Sequence, residues 1–131
     1  MSGERILIDT SVWIDYFRGA TASVAEKVDR ILDEDEVFIP RMVIAELMQG
    51  ALSAKEIAVI DGFIEAFHII DQSDDTWAKA GRLAYDLKRK GKSVPLSDCY
   101  LAVIAEAHRC RIFTLNRHFR EIKNCLNISL I

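Results

Sequence analysis

A chain of 131 residues that is half hydrophobic and 28% charged has the make-up of a soluble globular protein with one sizeable core, and a single domain spanning 1–131 is expected. No apolar run approaches the length of a membrane span, and the opening Met-Ser-Gly-Glu-Arg carries no signal-peptide apolar region, so a cytoplasmic protein without membrane contact is expected. Three cysteines, Cys99, Cys110 and Cys125, form no C-x-x-C pair and read as reduced thiols rather than a disulfide framework.

Arg5-Ile6-Leu7-Ile8 reads as a short strand buried on both faces, the kind found inside a parallel sheet. Asp9 follows at once. Thr10 and Ser11 then suit the cap of a helix carrying Val12, Trp13, Tyr16 and Phe17, which Arg18-Gly19 stops with a left-handed glycine. Val24, Ala25, Val28, Ile31 and Leu32 have helical spacing and lead into the acidic run at 33–36. Val37-Phe38-Ile39 reads as a second buried strand closed by Pro40. A third helix runs through Val43, Ile44, Leu47 and Met48 to Gly50, and a fourth covers about 54–67.

His68-Ile69-Ile70 is a short third strand. Ser73 or Asp74 then caps a long helix carrying Trp77, Ala80, Leu83, Ala84 and Leu87, which ends in Lys88-Arg89-Lys90-Gly91-Lys92. Pro95 and Ser97 open a helix whose segment 100–105 is apolar nearly all round and therefore belongs inside the molecule. Residues 111–115 read as a fourth strand, His118–Ile122 as a short helix and 128–131 as a fifth strand. Strands alternating with helices predict an α/β fold: a three-layer α/β/α sandwich on a mostly parallel sheet of about five strands. Trp13, Trp77 and Phe113 sit at core spacing and read as packing residues.

Four polar residues stand where packing alone does not call for them. Asp9 ends the first strand, Glu46 lies among apolar neighbours on the third helix, Asp98 opens the buried helix, and Asn116 follows the fourth strand as Asp9 follows the first. All four reach one rim if the first and fourth strands are neighbours. Each also has a plainer role: Asp98 as a helix-dipole partner, Asn116 as a cap, Glu46 as a solvated charge. Two carboxylates about 5 Å apart repel by roughly 3 kcal/mol at an effective dielectric of 20, so convergence demands protons or a cation. Oxygen donors without His or Cys select Mg²⁺ or Mn²⁺, and such an ion suits phosphodiester hydrolysis.

The segment 82–123 holds ten Lys/Arg against four Asp/Glu, while the rest holds seven against sixteen, so one face can meet a polyanion although the net charge is −3. Arg82, Lys88, Arg89 and Lys92 suit phosphate contacts, as do Arg117 and His118 beside Arg120. Asp15, six residues into its helix, is expected to face solvent or an ion pair. Cys99 has no histidine placed in sequence to activate it and reads as an inert buried thiol.

The blocks Leu7-Ile8-Asp9-Thr10-Ser11-Val12-Trp13-Ile14, Val43-Ile44-Ala45-Glu46-Leu47 with Gly50, Pro95-Leu96-Ser97-Asp98, and Thr114-Leu115-Asn116-Arg117-His118-Phe119 together resemble the PIN domain, with VapC-type toxins of toxin–antitoxin modules as the nearest likeness. The resemblance implies Mg²⁺- or Mn²⁺-dependent endoribonuclease activity, an RNA substrate, a homodimer and a cognate antitoxin. It places Asp9, Glu46 and Asp98 at acidic, metal-holding positions and Asn116 where many members carry a fourth acid, which favours a one-metal site or a second ion recruited only by substrate. Thr114 and Ser97 are candidates to orient water or a ligand, and Glu121 is a weak substitute for the missing acid. Two other readings stand beside this one: a phosphoacceptor receiver-like domain, which also sets an Asp after a strand, and a catalytically silent PIN-like RNA-binding module.

Overall fold

The computed structural model describes residues 3–131. Its elements alternate as the hydrophobic pattern predicts: β1 (Arg5–Ile8), α1 (Thr10–Arg18), α2 (Ala22–Glu34), β2 (Glu36–Pro40), α3 (Arg41–Gln49), α4 (Ala54–Ile64), β3 (His68–Ile70), α5 (Thr76–Arg89), α6 (Leu96–Ala107), β4 (Arg111–Phe113), α7 (His118–Ile122) and β5 (Ser129–Leu130). The five strands form one sheet in the order β3-β2-β1-β4-β5. Every pairing is parallel, with Leu7 opposite Phe38 on one side and Ile112 on the other.

Strand order fixes where the helices lie. From β1 the chain steps outward to β2 and β3, then returns across the sheet to β4 and β5. Right-handed crossovers in opposite directions put α1–α4 on one face and α5–α7 on the other. Contacts agree: α1 packs on α2 and α3, whereas α5 packs on α6 and both meet α7. The result is the expected α/β/α sandwich, and β1 and β4 flank its topological switch point.

The central strand is apolar because both its faces are covered: Ile6, Leu7 and Ile8 are all but inaccessible. Helix α6 is buried from Asp98 to Ala105, as its all-round apolar sequence requires. Trp13 is fully buried and is enclosed by Tyr16, Phe17, Phe63 and Phe67, at 5.3–6.1 Å between ring centroids. Gly19 takes the left-handed conformation at φ 60°, and its amide closes α1 onto the carbonyls of Asp15 and Tyr16.

Several local expectations are corrected. Trp77 is 46% exposed, because it lies on the flank of α5 and stacks at 4.3 Å on Tyr100 instead of entering the core. Helix α5 begins at Thr76 without a capping side chain; the Ser73 amide bonds Thr76 Oγ1 and the Ser73 hydroxyl bonds Asp75. Asp15 pairs with no cation among the described residues; its carboxylate accepts the Thr21 amide and hydroxyl, fastening the start of α2 to α1. Helix α4 ends at Ile64, three residues early, and β4 ends at Phe113, leaving Thr114 and Leu115 in a loop.

Candidate active site

Asp9 leaves the sheet at the carboxyl end of β1, and its amide still extends the ladder by bonding the Phe113 carbonyl at 2.9 Å. That bond holds the ends of β1 and β4 side by side. Asp9, not Thr10 or Ser11, is the N-cap of α1: its Oδ1 accepts the Thr10 amide at 2.8 Å. Oδ2 accepts the hydroxyls of Ser11 and Thr114, each at 2.8 Å. The carboxylate is 4% exposed and locked by donors from both strand ends.

Glu46 comes from the second turn of α3 and is tied to the same corner. Thr10 Oγ1 donates to its Oε1 at 2.7 Å. Burial pushes the Glu46 carboxyl above its ordinary range, the Thr10 bond opposes this, and the charges of Asp9 and Asp98 add to the rise.

Asp98 enters from the first turn of α6, 8% exposed. Its Oδ2 accepts Asn116 Nδ2 at 3.0 Å and lies 2.8 Å from His118 Nδ1. Burial raises its carboxyl too; the His118 hydrogen bond pulls it down, and the Asp9 charge raises it again. His118, a candidate for phosphate contact or a solvated helix face, instead has its ring turned by α7 onto the one carboxylate of the hollow that lacks a hydroxyl partner, while staying 41% exposed. His118 Nδ1 and Asp98 Oδ2 make an ion pair when the imidazole is protonated.

Asn116 does two jobs. Its Oδ1 accepts the His118 amide at 2.9 Å, while its Nδ2 donates to Asp98. A carboxylate at this position would set two negative oxygens about 3 Å apart, where a carboxamide supplies a donor. Thr114 links the two halves, donating to Asp9 and accepting the Asn116 amide at 2.9 Å. Ser11 also accepts the Leu115 amide at 3.1 Å. The hollow thus gathers Asp9, Glu46, Asp98 and Asn116 from four separate segments, with Thr10, Ser11, Thr114 and His118 as their partners. Of these, the part played by Ser11, Thr10 and the His118 ring was not read in the sequence; a hydroxyl pair directly after a strand-end acid was the available signal.

Other candidates lie elsewhere. Glu121 pairs with Lys92 at 3.6 Å and Arg82 with Asp86 at 3.2 Å, whereas Lys88 and Arg89 stand in the last turn of α5. Ser97 is half-buried beside Asp98. Cys99 is buried, and burial pushes its thiol to about 11, as an inert core thiol requires.

The donor set suits a hard divalent cation. All three acids offer oxygen, and Asp98 Oδ1 and Glu46 Oε2 have no hydrogen-bond partner among the described residues. Burial and mutual repulsion raise two of them, so added positive charge is favoured there. Among the described residues no three acidic, imidazole or thiol groups are already drawn together in a metal-ready cluster.

A parallel α/β sandwich that collects carboxylates at its switch point belongs to the class of folds that bind ligands at the carboxyl ends of their strands. The PIN domain family model matches residues 6–124, and the chain belongs to that family. It is 30% identical over 129 residues to ribonuclease VapC11 of Mycobacterium tuberculosis, covering 95% of this chain and 96% of that one. It is 26% identical over 123 residues to the tRNA(fMet)-specific endonuclease VapC of Shigella flexneri, covering 90% and 92%. The fold matches DNA-bound VapBC from Salmonella typhimurium with a TM-score of 0.79 at 23% identity, over 98% of this chain and 97% of that one. Family membership sets the receiver-like reading aside. No helix among the described residues is long and apolar enough to cross a membrane.

Proposed function

We propose that this protein is a Mg²⁺- or Mn²⁺-dependent endoribonuclease, the toxin of a toxin–antitoxin pair, which cuts RNA to leave 5′-phosphate and 3′-hydroxyl ends. The observation that carries the reading is that buried Asp9 and Asp98 and half-buried Glu46 act on one another's charge at one edge of the sheet, with His118 the one titratable cation bonded to them among the described residues. The names of the VapC relatives support the substrate class.

Asp9, Glu46 and Asp98 would hold the ion. When bound, it supplies a Lewis acid that neutralises a phosphoryl oxygen and acidifies water near neutral pH. The chain's own part is positioning. Ser11 and Thr114 fix the Asp9 carboxylate, Thr10 fixes Glu46, and Asn116 and His118 hold Asp98 by one oxygen while its other faces the hollow. Asn116 orients a ligand without adding charge. Lys88 and Arg89, in the last turn of α5, would add long-range attraction for the RNA backbone.

A homodimer is supported by exposed apolar residues around α5: Trp77 and Tyr85, about two helical turns apart, and Leu96, which lines one hollow with Tyr85, are 46%, 56% and 49% exposed. An antitoxin partner follows from the toxin reading. A cytoplasmic location accords with three free cysteines, two of them buried.

Incubation with total cellular RNA and Mg²⁺, followed by mapping of the ends, tests the reading. Discrete 5′-phosphate ends that vanish in chelator are expected. RNA bound but left intact with Mg²⁺ and with Mn²⁺ would instead identify a silent RNA-binding module.

A further inference from the structure

Immediately beside the acidic hollow lies a second concavity, of about 230 Å³ of solvent-accessible space, walled by the 114–117 loop, Arg120 and the β5 end at Leu130 and Ile131. It shares Thr114 and Asn116 with the acid cluster, so the two are joined by hydrogen bonds rather than merely near each other. Its charged side chains are of opposite sign. Arg117 and Arg120 both line it, and among the described residues neither guanidinium has a carboxylate partner. Arg18, Arg41, Arg82 and Arg111 are each paired with an acid; Arg5, Arg30, Arg89 and Arg109 are also without one among the described residues, but none of them shares this concavity. Two unpaired guanidinia facing one cavity repel, and an anion lying between them relieves that repulsion.

We propose that this concavity is the subsite for the phosphodiester next to the one being cut, with Arg117 and Arg120 gripping its non-bridging oxygens. The proposal rests on the nuclease reading. Guanidinium forks match phosphate oxygens bidentately, which a lysine cannot do. Leu115, 47% exposed on the same loop, gives the adjoining ribose an aliphatic surface. Because the loop that carries Arg117 also carries Asn116, seating the neighbouring phosphate sets the register of the strand over Asp9 and Asp98. Arg117 and Arg120 are therefore positioning residues.

The test compares Arg117→Ala/Arg120→Ala with Arg30→Ala/Lys55→Ala, which removes the same charge from exposed positions on α2 and α4. Binding of a labelled short single-stranded RNA is followed by fluorescence anisotropy in Ca²⁺, across a salt series. The first variant should lose about 10-fold or more in affinity, and its log Kd against log salt slope should fall by about 1.4, the value for two lost phosphate contacts on a single strand. The control should stay within about twofold, with an unchanged slope. In Mg²⁺ the subsite variant should also cut at shifted positions, which a general loss of charge would not cause. Equal affinity, slope and cut sites in the two variants would overturn the subsite while leaving the nuclease reading standing. A wild-type protein that neither binds nor cuts RNA would overturn both.

Discussion

Thr114 is the hinge on which the candidate site turns, and Thr114→Val tests it with almost no change in shape. The hydroxyl donates to Asp9 Oδ2 at 2.8 Å and accepts the Asn116 amide at 2.9 Å. Valine removes both. A hydrogen bond to a charged group contributes roughly 1.5–3 kcal/mol, and leaving an amide without its acceptor costs about another 1 kcal/mol. Thr114 is only half-buried, and Ser11 still serves the same Asp9 oxygen, so water recovers part of this. A net loss of about 2 kcal/mol remains, which in a chain of this size lowers Tm by about 6–10 °C. Cleavage should suffer more than stability suggests, because Asp9 and Asn116 lose their common anchor: a fall of about 10–100-fold in kcat/KM is expected, as for other residues that orient metal-holding groups. Thr114→Ser keeps the hydroxyl and should recover most of both. Thermal melts and single-turnover cleavage of one labelled RNA measure this. A valine variant with unchanged Tm and unchanged cleavage would refute the claim that the strand-end hydroxyl organises the acids.

The acids themselves make two further predictions. Asp98 and Glu46 have folded-state carboxyls raised above their unfolded values, so the stability they give is complete below the ordinary carboxylate range near pH 4 and is lost as pH rises through the raised values. Metal-free protein should therefore melt at higher temperature as pH is lowered from neutrality through the raised values towards the ordinary carboxylate range, and excess Mg²⁺ should flatten that trend. Asp98→Asn should raise the Tm of metal-free protein at pH 7 while abolishing cleavage; a lower Tm would mean that its His118 pairing outweighs the burial and repulsion. Thiol accessibility makes a third. Cys99 and Cys110 are buried, with thiols pushed to about 11, and Cys125 is half-buried, so native protein at pH 8 should release one equivalent quickly to a thiol reagent, and two more only on unfolding. Fast reaction of all three would show a looser core around α6.

Much of the scaffold was readable because short-range rules govern it. His68–Ile70 and His118–Ile122 appear where their patterning put them, and the all-round apolar run in α6 is buried as such a helix must be. The shared rim of Asp9, Glu46, Asp98 and Asn116 depended on β1 and β4 being neighbours, which the parallel pairing of Ile8 with Phe113 supplies. Finer features were hidden because they are settled across distance. Asp9 and Thr114 are 105 positions apart, and no local propensity announces that the hydroxyl of one will meet the carboxylate of the other. His118 looked like a surface residue of a basic segment; only the docking of α7 against α6 aims its ring at Asp98. Trp77 had core spacing, but it sits on the flank of α5, one ring face stacked on Tyr100 of α6 and the side chain 46% exposed. Asn116 is the instructive case, since its departure from a fourth acid is explained by a bond it donates, which a carboxylate cannot.

The account stands most directly on whether these side chains hold a divalent ion. Calorimetric titration of Mn²⁺ into chelator-treated wild type, set against Asp9→Asn/Asp98→Asn, measures that without reference to any RNA. Saturable binding by the wild type that disappears in the double variant is the predicted result; identical isotherms for the two proteins, or none for either, would contradict it.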